Sequence, residues 1–172
     1  MDPSRISLRR FKLSDADDFL NWCGDERVSR NVRWNTIKSK EEALQHIEKE
    51  VIPHPWNYSI CVDDRSIGYI AVWKATSIYE QHKANVGYAI GVDFWGQGIA
   101  VIALKMALTR VFQDLPGLIR LEGYTVKENI RSQRVLEKVG FQKEGLLRKY
   151  FSLEGEFLDF FIFSFLSTDH IL

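Results

Sequence analysis

A turn built on two glycines runs straight into an apolar helix, and this segment limits the possible folds more than any other part of the sequence. Residues 95–100 read WGQGIA, and residues 101–112 are helical by residue preference and apolar on almost every side. A helix of this kind is expected to be buried. The chain should therefore pack a hydrophobic core around it, directly after a predicted strand at residues 85–92.

The glycine turn is suited to holding an anion at the start of this helix. The first N–H groups of a helix lack intrahelical acceptors, and the helix dipole adds positive potential beside them. Gly96, Gly98 and the small Ala100 let a phosphate or pyrophosphate approach the backbone closely. A tight turn that binds nothing explains the same residues equally well, because isolated glycine motifs are weak signals.

Two other phosphate-binding folds do not fit this turn. A nucleoside-triphosphate loop needs Lys followed by Ser or Thr after its last glycine, whereas Gly98 is followed by Ile99 and Ala100. A dinucleotide-binding fold needs a third glycine, and Val101 stands near that place.

The remaining patterns predict one α/β (α+β) domain over residues 1–172, since that length suits a single domain. Apolar runs predict strands at residues 6–11, 58–62, 67–73, 85–92, 118–126, 141–151 and 157–166. Start and stop signals predict about four helices, at residues 14–23, 39–51, 101–112 and 129–139, and leave residues 25–38 irregular. The order β-α-α-β-β-β-α-β-α-β-β implies one mixed sheet with helices on its faces.

Charge and composition argue against nucleic-acid and membrane partners. Lys and Arg number 23 and Asp and Glu also number 23, so the formal net charge is +0 and no basic-aromatic strip stands out. The most apolar stretch, residues 157–166, is too short to span a membrane and is interrupted by Asp159. It is predicted to be a core strand.

Cysteine and histidine usage predicts a cytoplasmic protein without a metal site. Cys23 and Cys61 are too few for a disulfide framework, so we expect two small buried thiols in a reducing compartment. The four histidines are scattered and never paired with a cysteine, which excludes a zinc spacing. The first residues show no signal peptide.

Several motifs together resemble the GNAT superfamily of acyl-CoA-dependent N-acetyltransferases. The pyrophosphate loop of that family is Gln/Arg-x-x-Gly-x-Gly/Ala, and WGQGIA matches it except that Trp95 occupies the first position. Residues 128–141, ENIRSQRVLEKVGF, resemble the Asn-x-x-Ser…Leu-Glu-Lys-x-Gly-Phe motif of the RimJ/RimL-like branch, which acetylates ribosomal-protein N-terminal alanine or serine. Residues 8–16, 144–148 and 155–159 also agree with that branch, so the likeness spans nearly the whole chain.

The resemblance implies the GNAT fold: a central mixed, mostly antiparallel seven-stranded sheet with a V-shaped split between the strands predicted at residues 85–92 and 118–126. Acetyl-CoA would lie in that split as cosubstrate. Main-chain groups of Ile90, Gly91 and Val92 would bind its pantetheine arm. The amides that would hold its pyrophosphate belong to Gly96, Gln97, Gly98, Ile99, Ala100 and Val101.

The resemblance also places Asn129 at the pantetheine and Ser132 near the thioester. Asn129 also suits a helix N-cap that binds nothing, and Ser132 also suits a solvent-facing first turn. Many GNAT enzymes protonate the leaving thiolate with a Tyr whose place is taken here by Leu136. Ser132 is therefore the predicted donor to the sulfur.

The predicted general base is Glu122, acting on the acceptor amine through water. The alternative is an ordinary ion pair between Glu122 and Arg120 or a cation on a neighbouring strand. Asp159 is a lesser candidate for the base.

The acceptor groove is expected between residues 25–35 and residues 152–156, with Arg33, Trp34 and Glu154 as its binding residues. Trp22 either lines this groove or packs in the core.

These residues predict an acetyl-CoA-dependent N-acetyltransferase in which a primary amine attacks the thioester directly, with a protein N-terminal α-amine as the expected acceptor. A polyamine- or aminoglycoside-type acetyltransferase is the alternative, since Asp25, Glu26, Glu154 and Glu156 supply acids. A non-catalytic acyl-CoA-binding module is a second alternative. The chain is expected to be a monomer or a homodimer.

Overall fold

A computed structural model describes residues 1–30, 36–153 and 155–172. The strands are β1 (Ile6–Arg9), β2 (Asn57–Val62), β3 (Arg65–Lys74), β4 (Lys83–Ile90), β5 (Arg120–Val126), β6 (Gln142–Leu153) and β7 (Glu156–Leu166). The α-helices are α1 (Ala16–Cys23), α2 (Glu26–Ser29), α3 (Lys40–His46), α4 (Ile99–Asp114) and α5 (Ile130–Val139). Helix α3 continues as a π-helical turn over Ile47–Val51.

The strands form a mixed, mostly antiparallel sheet in the order β1-β2-β3-β4-β5-β7-β6, which confirms the predicted fold class. Strands β4 and β5 are parallel and pair from Lys83 with Arg120 to Val86 with Gly123. Both strands continue beyond these described pairs, β4 to Ile90 and β5 to Val126. The V-shaped split that the family resemblance implies would lie between these two strands.

One helix was not predicted. Residues 26–29 form the single turn α2 inside the segment expected to be irregular. The Asp25 carboxylate caps it by accepting the Arg27 N–H at 2.8 Å. A turn this short shows no hydrophobic periodicity, so the capping aspartate was its only signal.

The chain divides into two compact units, one of residues 1–71 and 88–107 and the other of residues 72–87 and 108–172. The first unit has a core in which aromatic residues of α1 pack on β3. Phe19 and Trp22 meet edge to face at 4.6 Å between ring centroids, and Trp22 stacks on Tyr69 at 6.1 Å. Trp22 is buried there, so of the two roles considered for it the structure favours core packing.

The second unit has a core formed by β5, β7 and α5. Leu121, Leu136 and Phe163 are fully buried. The phenylalanines of β7 are core residues as predicted at positions 160, 163 and 165, but Phe157 is exposed. Phe157 lies at the start of β7, where β7 pairs with β6 at the hairpin end.

Cys23 and Cys61 are free and buried, as expected for small apolar thiols. None of the helices in the described part of the chain is long and apolar enough to cross a membrane.

Candidate active site

The glycine turn before α4 has the backbone conformation that its sequence predicts. Gly96 and Gly98 have φ values of +75° and +79°, a left-handed region that side chains disfavour. A Cβ on either glycine would meet no atom within 4 Å, so the space beside the turn is open. Residues 96–98 are exposed.

The amides at this turn are available for a ligand. Val101 and Ile102 donate their N–H groups to the Gly98 carbonyl at 3.1 and 3.2 Å, which forms the first turn of α4. Among the hydrogen bonds of the described residues, the N–H groups of residues 96–100 have no acceptor. The arrangement fits a diphosphate, because exposed amides at a helix N-terminus bind anions. Val101, which was also expected to contribute, already uses its amide within the helix.

Trp95 closes the turn against the end of β4. Its indole N–H donates to the Ile90 carbonyl at 2.7 Å. The Gly91 N–H donates to the Ile67 carbonyl at 2.8 Å, and a Cβ on Gly91 would lie 2.9 Å from the Trp22 Cβ. The Trp95 side chain therefore fixes the turn to the Ile90 carbonyl, which belongs to the main-chain segment expected to bind the pantetheine arm.

Asn129 and Ser132 stand at the N-terminus of α5. The Asn129 side-chain oxygen accepts the Ser132 N–H at 3.1 Å, so Asn129 is the N-cap of this helix. Ser132 is half-buried in the first turn. The N-cap role was one of two expected for Asn129, and a capping residue can still contact a ligand.

Leu136 is a core residue. It is fully buried, and its Cδ1 atom would lie 3.0 Å from a Cβ built on Gly123 of β5. Leu136 therefore packs against Gly123 of β5, and its hydrocarbon side chain offers no hydroxyl to a ligand.

Glu122 is buried in the second unit with only 5% of its surface exposed. Its Oε1 atom accepts Arg120 Nε at 2.7 Å, and its Oε2 atom accepts the Tyr124 hydroxyl at 2.8 Å. The ion pair with Arg120 is the alternative that the sequence left open. Burial and the hydrogen bond to Glu122 raise the pKa of Tyr124, so its hydroxyl stays protonated and donates to the carboxylate.

Arg120 also joins Glu122 to β6. Its Nη1 atom donates to Glu144 Oε1 at 2.8 Å, and the Ser164 hydroxyl donates to the same oxygen at 2.6 Å. The hydrogen bonds from Arg120 and Ser164 lower the pKa of Glu144 to about 2. The network therefore joins two carboxylates, Glu122 and Glu144, to one guanidinium.

Glu122 lies in a cavity of about 390 Å³ inside the second unit. The cavity walls also include Lys74, Glu80, Lys83 and the rings of Tyr124 and Tyr150. Strand alternation puts Glu122 and Gly123 on opposite faces of β5. Since α5 packs on Gly123 through Leu136, the cavity and α5 lie on opposite faces of this strand.

The predicted acceptor residues Arg33, Trp34 and Glu154 lie outside the described residues. Asp159, the lesser candidate for the base, accepts the Lys149 N–H at 2.8 Å and fixes the backbone of β6. No group of three His, Cys, Asp or Glu side chains able to hold a metal occurs within residues 1–30, 36–153 and 155–172.

Sequence reasoning missed Tyr150 and Glu144 as neighbours of Glu122. Both lie on β6, which joins the sheet beside β7 rather than beside β5. The sole signal for Glu144 was its place in the motif at residues 144–148. No sequence signal indicated Tyr150, because the direction of its side chain depends on a bulge in β6.

Comparison with known proteins assigns the family. Residues 5–142 match the model for the acetyltransferase (GNAT) domain. The N-acetyltransferase p20 of Bacillus licheniformis, itself uncharacterized, is 30% identical over 172 residues, which covers 96% of this chain and 95% of p20. The chain therefore belongs to the GNAT acetyltransferases, and it is an acyltransferase with acetyl-CoA as its donor.

Further similarities include ribosomal-protein acetyltransferases. The uS5-alanine N-acetyltransferase of Escherichia coli is 32% identical over 78 residues, which covers 45% of this chain and 40% of that enzyme. An acetyltransferase of the GNAT family from Bacillus anthracis superimposes with a TM-score of 0.84 at 21% identity, covering 96% of both chains. RimL, a ribosomal L7/L12 α-N-protein acetyltransferase in complex with coenzyme A, has a TM-score of 0.79 at 21% identity, covering 96% of this chain and 97% of RimL.

Proposed function

We propose that this enzyme transfers the acetyl group of acetyl-CoA to the α-amine of a peptide or protein N-terminus. The observation that carries the proposal is the Glu122 carboxylate, buried in the cavity and hydrogen-bonded at both oxygens. A carboxylate side chain is a weak base, and the hydrogen bonds from Arg120 and Tyr124 fix this one in position.

A weak base suits an α-amine better than a lysine side chain. An α-amino group has a pKa near 7.7–8.0, so an appreciable fraction is neutral at physiological pH, whereas a lysine amine with a pKa near 10.4 is almost wholly protonated. Only the neutral amine has the lone pair that attacks the thioester. Glu122 then has to accept a proton, through water, from an amine that loses it readily.

The glycine turn and α5 are the proposed donor side of the site. The amides of residues 96–100 would hold the pyrophosphate, and main-chain groups of residues 90–92 would hold the pantetheine arm. Asn129 would contact the pantetheine. The Ser132 hydroxyl would donate a hydrogen bond to the thioester sulfur.

In the reaction the amine nitrogen forms a bond to the thioester carbonyl carbon, and the carbon–sulfur bond breaks. The amine proton passes toward Glu122, and CoA leaves as a thiolate stabilised by Ser132. The products are the N-acetylated acceptor and CoA. The position of the cavity and α5 on opposite faces of β5 supports a route in which amine and thioester approach from two sides.

Two ribosomal-protein acetyltransferases among the similar proteins, the uS5-alanine enzyme and RimL, support this acceptor class. The cavity favours a peptide N-terminus over a polyamine as the acceptor, because a polyamine site would need an excess of acids. Its walls carry Glu80 and Glu122 but also Lys74 and Lys83. Asp25, one of the acids considered for a polyamine, is paired with Arg27 at 2.6 Å.

The test is acetyl transfer to matched acceptors: a peptide with a free N-terminus, the same peptide with a blocked N-terminus and an internal lysine, spermidine, and an aminoglycoside. We expect product only at the free α-amine, located by fragmentation mass spectrometry. Transfer to spermidine or the aminoglycoside without transfer to peptides would refute the proposed acceptor.

Glu122→Gln tests the base directly. The variant keeps the size of the side chain and one acceptor oxygen, but it replaces the other oxygen with an NH2 donor and cannot take a proton. We expect kcat to fall about 10²-fold, the lower end of general-base effects. Glu137→Gln, an exposed position on α5, is the control. An unchanged kcat in Glu122→Gln would remove Glu122 from the mechanism.

A further inference from the structure

Strand β6 carries a bulge beside the cavity. Leu147 pairs with Phe160 and Phe151 with Leu158, so β6 has three residues between these pairs where β7 has one. At the centre of the bulge, Lys149 has a φ of +49°, and its N–H donates to Asp159 Oδ1 at 2.8 Å. A non-glycine residue in the left-handed region persists only where its surroundings fix it.

The bulge directs Tyr150 toward the catalytic carboxylate. The Tyr150 ring stacks on Tyr124 with centroids 5.5 Å apart and an angle of 1° between the planes. The Tyr124 hydroxyl in turn donates to Glu122 at 2.8 Å. Bulges near active sites commonly redirect a side chain in this way.

Tyr150 is half open to solvent although it is stacked. It is 50% exposed, and it lines the cavity together with Glu122. The exposed part of Tyr150 is therefore an aromatic surface that a bound molecule can contact.

We propose that Tyr150 is a specificity-determining residue, whose ring packs against the side chain next to the acceptor amine. The proposal rests on the proposed function, since it takes this cavity as the acceptor site. Most other cavity side chains are charged or polar, among them Lys74, Thr76 and Asn85. The rings of Tyr124 and Tyr150 are thus the main apolar wall, and the enzyme prefers acceptors whose first residue is apolar.

The test compares Tyr150→Ala and Tyr150→Phe on peptides that differ only at the first residue, Leu or Gly. Tyr150→Ala is expected to raise KM for the Leu peptide about tenfold, equivalent to the upper range of aromatic contacts, and to abolish the preference over the Gly peptide. Tyr150→Phe retains the ring and should behave as the wild type. The KM for acetyl-CoA should not change in either variant.

Two further variants test the bulge itself. Asp159→Ala removes the acceptor of the Lys149 N–H, so it should weaken the Leu preference in the same way as Tyr150→Ala. Lys149→Gly relieves the left-handed strain and keeps the bulge, so the preference should persist. Tyr79→Ala, at a tyrosine 86% exposed outside the cavity walls, is the control for removing an exposed ring.

The outcomes separate the two proposals. If Tyr150→Ala keeps the wild-type Leu:Gly ratio of kcat/KM, the specificity proposal is wrong while the peptide acceptor stands. If the wild type acetylates only small amines, the peptide acceptor is wrong. In that case Tyr150 retains its role only if Tyr150→Ala raises the KM for those amines. Absence of transfer to every acceptor overturns both.

Discussion

Gly98 and Gly117 form a matched pair for testing the pyrophosphate loop at the level of single residues. Both have left-handed backbones, with φ values of +79° and +83°, and neither has an atom within 4 Å of a built Cβ. An aspartate at either position should destabilise the fold by a similar amount, about 1–2 kcal/mol. Only the one at position 98 would place a carboxylate where the diphosphate is proposed to bind.

We expect Gly98→Asp to abolish acetyl-CoA binding in calorimetry, whereas Gly117→Asp binds as the wild type does. Thermal unfolding of both variants checks that they are folded at the assay temperature. Undiminished affinity in Gly98→Asp would show that the turn does not hold the cosubstrate.

A second prediction at the scale of single residues concerns the Ser132 hydroxyl. A hydroxyl that stabilises the leaving thiolate acts mainly in the transition state, so its removal should lower kcat more than it weakens acetyl-CoA binding. For Ser132→Ala we expect kcat to fall at least tenfold with a dissociation constant changed less than about threefold. Equal losses in kcat and affinity would make Ser132 a binding residue only.

At the scale of elements, the N-cap residue of α5 is proposed to have two roles, capping the helix and binding the cosubstrate. Asn129 caps the helix by accepting the Ser132 N–H, and an Asn-to-Ala change at such a cap costs about 1 kcal/mol. Aspartate caps a helix as well as asparagine does but has no side-chain N–H to donate. The two variants therefore separate capping from ligand binding.

We expect Asn129→Ala to lower both the melting temperature and the affinity for acetyl-CoA. Asn129→Asp should keep the melting temperature and lose affinity, because it lacks the donor and adds a negative charge. Calorimetric titration and thermal unfolding of both variants are the measurements. Wild-type affinity in Asn129→Asp would leave Asn129 with the capping role alone.

The regular elements could be predicted from the sequence because their signals are local. Alternating or continuous apolar residues located every strand within two residues of its observed bounds. Gly140, with φ of +105°, ended α5 where a left-handed C-terminal stop was expected. The one-turn helix α2 was too short to give a periodic signal.

The acceptor side of the site was less predictable because it depends on pairing between distant strands. Strand alternation puts Arg120, Glu122 and Tyr124 on one face of β5, and the structure joins them in one network. Nothing local indicated that Glu144 and Tyr150 would join them from β6. Tyr150 in particular depends on the bulge at Lys149, which changes which side chains face the cavity.

At the scale of the whole molecule, the network around Arg120 links folding stability to pH. It connects β5, β6 and β7 through Glu122, Glu144 and Ser164. Its hydrogen bonds hold the pKa of Glu144 at about 2, below its ordinary value of 4.5. A carboxyl group with a lowered folded-state pKa stabilises the fold above its unfolded-state pKa, and this contribution is lost as the pH falls through the folded-state value.

The wild type should therefore lose stability more steeply than Glu144→Gln as the pH falls from about 4.5 toward about 2. Solvent screening makes this difference in stability smaller, since the Glu144 side chain is 41% exposed. Urea denaturation at a series of pH values measures it, with Glu137→Gln as a control whose curve should run parallel to that of the wild type. A gap between the wild type and Glu144→Gln that is constant over this range would mean that the charge of Glu144 does not contribute to the stability of the fold.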